Sequence, residues 1–145
     1  MSTQYFQRMK EITEIFERIN EKLKERFLDE IILKGPFHGS YYESHVVGKE
    51  KHPCTIGYFY FNHAWDNPVY GPMDLKGNIG KILICEICNY KKIEVINPNI
   101  FLEMEGLTEE NVKKARKYQE LPNDLETLTE KVLEFVRENF NFKFK

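Results

Sequence analysis

Cys85-Glu86-Ile87-Cys88 sets two thiols three residues apart, a spacing at which both can bind one metal ion if the chain turns between or just after them. Upstream, His52-Pro53-Cys54 offers an imidazole and a third thiol. Together His52, Cys54, Cys85 and Cys88 form a Cys₃His set suited to tetrahedral zinc. Geometry sets a condition. In an extended strand, residues i and i+3 point to opposite faces, so Cys85 and Cys88 converge only if their strand ends by Cys88. The competing reading is that of plain buried thiols, because residues 81–88 are nearly all apolar and cysteine is among the most buried residue types. Three cysteines are an odd number and too few for a disulfide scaffold, so reduced thiols are expected.

With Asn89 and Tyr90 behind it, the Cys85–Cys88 pair resembles half of a zinc ribbon, in which a C-x-x-C knuckle is followed by a small residue and an aromatic. The likeness covers about six residues and implies zinc as the cofactor. The second knuckle of that family is C-x-x-C, whereas this chain offers His-x-Cys at 52–54. A zinc deaminase fits less well, since its pattern needs a glutamate two residues after the first ligand, and position 54 is Cys.

All four histidines fall between His38 and His63. If 41–47 and 55–63 are neighbouring strands, His45, His63 and Glu43 could carry out general acid–base cleavage, as in a small hydrolase or metal-independent nuclease. The bland alternative is a set of hydrogen-bonded histidines on a half-wet sheet. Signatures for nucleotides and for other hydrolases are absent: there is no G-x-x-x-x-G-K-[ST], no G-x-S-x-G and no H-E-x-x-H. Asp74 with Glu86 is close to a nuclease carboxylate pair, but Cys88 stands where that motif wants Lys.

A third group of residues points to recognition. Aromatics crowd the stretch 37–70, with Tyr58 and Tyr60 expected on one face of a strand and Phe59 and Phe61 on the other. A long Pro- and Gly-bearing loop over 64–78 follows, carrying Trp65, Asp66 and Tyr70. If all the helices cover one side of the sheet, a tyrosine-rich face stays open, and Tyr and Trp dominate protein interfaces. On this reading Tyr58, Tyr60, Trp65 and Tyr70 bury against a partner protein, while Glu43 and Asp66 set the polarity of the rim.

The elements that must position these groups read as follows. Tyr5, Met9, Ile12, Phe16, Ile19, Leu23 and Phe27 recur every three or four residues, which predicts a long amphipathic helix over 3–28. Gly35-Pro36 is expected to end the stretch before it. Strands are expected at 41–47, 55–63, 81–88 and 93–96, with a charged turn at 48–53. A helix capped by Thr108 should stop before Pro122, and a last helix should run over 123–139. The tail 140–144 is either a short edge strand or a terminus with one anchored Phe. Grouped strands with helices at the ends give a single α+β domain over 1–145: a long N-terminal helix, an antiparallel sheet of four to five strands and two C-terminal helices. A coiled-coil homodimer is the alternative use of the first helix.

Charge narrows the partners. The net charge is −2 and no segment is strongly basic, which argues against nucleic acid as a partner. The longest near-apolar run, 82–87, holds six residues including Glu86, where a bilayer span needs about 20. The polar first residues give no export signal, so a cytoplasmic protein is expected. The favoured expectation is a non-enzymatic protein-binding module, of the inhibitor, immunity-protein or adaptor kind. The alternatives are the His/Glu hydrolase and a zinc-stabilised binding module.

Overall fold

Helix α1 (Thr3–Arg26) follows its apolar stripe: Ile12, Ile15, Phe16, Ile19 and Leu23 are all buried. The stripe's first members differ, because Tyr5 stays exposed and Met9 is only partly buried, so the core begins at Ile12. Lys24 and Arg26 sit in the last turn, where cations suit the negative end of the helix dipole. In this computed structural model the described residues are 3–28, 30–61, 78–95, 108, 118–140 and 144–145.

Five strands follow: β1 (Ile31–Val47), β2 (Glu50–Phe61), β3 (Asn78–Cys85), β4 (Lys91–Val95) and β5 (Tyr118–Glu120). They pair in sequence order, each antiparallel to the next. Helix α2 (Leu125–Phe140) closes the described fold. Asp124 caps it, accepting bonds from the Thr127 amide at 3.0 Å and the Thr127 hydroxyl at 2.7 Å. The architecture is therefore α+β, with an antiparallel sheet between a long N-terminal and a C-terminal helix. Among the described residues no helix is long and apolar enough to cross a membrane.

Both helices pack on the same side of the sheet. Ile19 and Leu23 of α1 and Leu128, Val132 and Val136 of α2 share one core with Leu33, Phe59, Ile82, Ile84 and Ile93. Helix α1 comes so close that a Cβ on Gly57 would meet Leu33 Cδ1 at 2.9 Å and also the Phe16 ring. The opposite face carries a smaller cluster of Cys54, Leu83 and Cys85, with Cys88 and Tyr90 packed on it.

Several expectations are corrected. Gly35-Pro36 does not end a stretch: β1 runs through it, with a register shift between Lys34 and Phe37 and with Gly35 at φ 133°. The residues of 48–53 are mostly strand, because the hairpin turns at Gly48 and Lys49, leaving Glu50 opposite Val47. Only one C-terminal helix is described. Of the other, expected over 108–121, residues 109–117 lie outside the described residues, and Tyr118–Glu120 is strand. Pairing with Lys92–Glu94 of β4 overrides local helix preference there. In the tail, Phe144 bridges to Phe27 with ring centroids 4.9 Å apart, while 141–143 lie outside the described residues.

Candidate metal centre

Strand β3 ends at Cys85, and the chain bends over residues 86–89. This meets the condition for the two sulfurs to converge. Cys85 stands at the last ladder position, opposite Cys54 of β2. His52 lies two residues before Cys54, on the same face of β2. The bend returns Cys88 over this face, so the ligand atoms of His52, Cys85 and Cys88 all lie within 4.8 Å of one another. Cys85 Sγ and His52 Nδ1 are 3.6 Å apart. A tetrahedral zinc site requires roughly 3.6 Å between sulfur and nitrogen ligands, from metal–ligand bonds of about 2.3 and 2.0–2.1 Å.

The surroundings favour the ligating form of Cys88, while in the metal-free fold Cys85 and His52 are shifted toward their protonated forms. His52 Nε2 faces Glu50 Oε2 at 3.4 Å; with Nε2–H donating to that carboxylate, the neutral ring would turn its Nδ1 lone pair toward Cys85. The Cys88 amide donates to Cys85 Sγ at 3.3 Å. Burial raises the Cys85 pKa, against the backbone amides of Cys88 and Ile87, which favour its thiolate. For Cys88, desolvation also acts upward, but the Tyr90 amide, the Cys85 thiol and His52 together outweigh it and hold the thiol below its ordinary value. His52 is raised, first by its bond to Cys88, with Glu50 adding to the effect.

The knuckle is tied down from several sides. Cys85 N donates to Tyr90 O at 2.9 Å, and Glu86 N to Pro53 O at 3.0 Å. Glu86, nearly buried between the two cysteines, accepts from the Gly39 amide at 2.7 Å and the Thr55 hydroxyl at 3.0 Å. Because the Thr55 proton goes to Glu86, His38 Nδ1, 2.7 Å away, donates to Thr55 Oγ1. Arg8, from α1, donates to Cys88 O and to Asn89 Oδ1. Lys91, buried at the start of β4, donates to Asn89 O and to Asn123 Oδ1.

Of the four ligands read from the sequence, the structure thus gathers His52, Cys85 and Cys88 and leaves Cys54 beside them. Cys54 is fully buried, its Sγ lies 3.6 Å from its acceptor His52 O, and burial pushes its thiol up to about 11. His45 stands opposite His52 in the hairpin and stacks on Tyr90, with centroids 4.0 Å apart. His63 and the Glu43 side chain, the other members of the expected acid–base cluster, lie outside the described residues. So do Trp65, Asp66 and Tyr70 of the expected partner surface. Tyr58 is half-buried beside Phe37, whereas Tyr60 is fully buried. The expectation that Tyr60 turns its ring to a partner is therefore corrected, since both Phe59 and Tyr60, on opposite faces of β2, are covered.

Sequence reasoning missed Glu50, Arg8 and Lys91. Glu50 was within reach, as a carboxylate two residues from a candidate histidine ligand on a strand shares its face. Arg8 carries no local signal, because only the fold brings α1 to the knuckle. No family model, curated protein or solved structure matches this chain.

Proposed function

We propose that the protein is a non-enzymatic, zinc-stabilised binding module whose ion is held by His52 Nδ1, Cys85 Sγ and Cys88 Sγ. The observation that carries this reading is the convergence of those three ligand atoms within 4.8 Å at the point where β3 stops. The donor set supports zinc: two thiolates and an imidazole are soft to borderline ligands, and among the described residues no carboxylate enters the cluster. Bound there, zinc would join β2 to the knuckle and hold together the sheet face that the helices leave uncovered. The orientation of His52 by Glu50 is the outer-shell arrangement expected for a histidine ligand.

Recognition of another protein is the work assigned to the module. Its support is the placing of both helices on one side, with Phe37 and Tyr41 exposed on β1 and Tyr58 packed beside Phe37. Tyr58, Trp65, Asp66, Tyr70 and Glu43 remain in that proposal, and Tyr60 leaves it. Mass spectrometry of the intact protein under non-denaturing conditions tests the metal reading. One zinc per chain is expected for the unmodified protein, lost in the Cys85→Ser, Cys88→Ser double variant. Retention of less than about a tenth of an equivalent after zinc supplementation overturns it.

A further inference from the structure

We propose that Arg8 is a positioning residue of the metal centre, so that zinc binding and the docking of the first turns of α1 are thermodynamically linked. This rests on the zinc reading above. The three ligands are not held alike. His52 lies in β2 and Cys85 at the end of β3, both fixed by ladder pairs. Cys88 sits on the bend, so its sulfur is placed only as well as the bend is shaped.

Arg8 grips that bend from outside. Its Nη2 donates to the Cys88 carbonyl oxygen at 2.8 Å and to Asn89 Oδ1 at 2.9 Å, using both hydrogens of one amino group. The first bond fixes the peptide plane that follows the ligand, and the second fixes the next side chain. Nη1 faces Glu11 Oε2 at 3.7 Å, which orients the guanidinium along α1. Lys91 Nζ also holds this bend, from the same helix-covered side, through Asn89 O at 3.3 Å. A turn already held in its ligating shape loses less freedom when the ion arrives, and metal affinity rises accordingly. By reciprocity the ion must strengthen the Arg8 contact as much as the contact strengthens ion binding.

The test is zinc affinity by chelator competition in the full chain, for the unmodified protein, Arg8→Ala and Arg18→Ala. Arg18 is the control because it ties α1 to Glu126 at 2.9 Å, a comparable tie made to α2 instead of the knuckle. Arg8→Ala should weaken zinc binding by about tenfold and Arg18→Ala by less than about twofold. Hydrogen exchange gives a second readout. Zinc should slow exchange in the first turns of α1 in the unmodified protein and should not do so in Arg8→Ala. If Arg8→Ala fails to fold, Asn89→Ala removes one of the two acceptors at an exposed position and should lower affinity in the same direction, by less. Unchanged affinity in the folded Arg8 variant, or equal losses in the Arg8 and Arg18 variants, overturns the linkage and leaves the zinc reading standing. Failure of the unmodified protein to bind zinc overturns both.

Discussion

His52 faces Cys85 with Nδ1 and Glu50 with Nε2, and this division of its two nitrogens gives the site its chemistry. The three cysteines differ just as clearly. Cys88 is partly accessible with a depressed pKa, while Cys54 is sealed in the sheet at about 11. Thiolate, not thiol, is the nucleophile. In metal-free protein, iodoacetamide should therefore modify Cys88 first and Cys54 last, and zinc should protect Cys88. Peptide mapping by mass spectrometry reads this order, and early labelling of Cys54 would contradict it.

The same groups set opposite pH trends for the two forms. His52 is raised above its ordinary value of 6.5 in the metal-free fold. Its contribution to stability is fully present below that value and is lost as pH rises through the raised one. Zinc needs the neutral imidazole and both thiolates, so its affinity climbs over the same rise. As pH rises above 6.5, metal-free protein should lose the His52 contribution while zinc binding tightens. Denaturant melts with and without zinc check both signs, and His52→Ala should remove the fall seen without metal.

At the scale of elements, α1 and β2 meet through a missing side chain. Gly57 allows Phe16 and Leu33 to close over β2, and an added Cβ has no room. Gly57→Ala should cost about 1–3 kcal/mol by overpacking. Urea melts give the figure, and a neutral result would mean that the Phe16 ring moves freely. The sequence made α1 legible because a stripe with helical period has one buried face whatever it packs against. The strand ends were less legible. Residues 81–88 read as one apolar strand, yet the ladder stops at Cys85, where the chain turns to pair Cys85 N with Tyr90 O. Ile87 and Cys88 carry apolar character past that stop, so the single charge of Glu86 is its only local mark. Gly35-Pro36 misleads in the other direction: as a punctuator it predicts a break, but β1 absorbs it in a register shift and continues. The strand Tyr118–Glu120 was hidden because its pairing partner, the edge of β4, is set by topology.

For the whole molecule, the sheet separates two bodies of side chains. One face joins both helices into the main core, and the other gathers the cysteine cluster with the His45–Tyr90 stack. The site itself was partly legible. Spacing singled out Cys85 and Cys88, and residue type singled out His52. That Cys54 stands aside while Arg8 grips the knuckle follows only from the folded arrangement. If zinc belongs to the native state alone, ligand linkage fixes its effect on stability. At about a hundredfold excess over its dissociation constant it contributes about 2.7 kcal/mol. For a chain of this size that raises the thermal midpoint by about 5–10 °C. Calorimetry with and without chelator measures the shift, and coincident midpoints would show that the ion plays no part in the fold.

X-ray absorption at the zinc edge counts the atoms around the ion directly. The expected shell holds two sulfurs at about 2.3 Å, the His52 nitrogen at about 2.0–2.1 Å and a fourth, non-protein donor such as water. A shell of oxygen and nitrogen without sulfur would place the metal elsewhere on the chain and contradict the assignment of His52, Cys85 and Cys88.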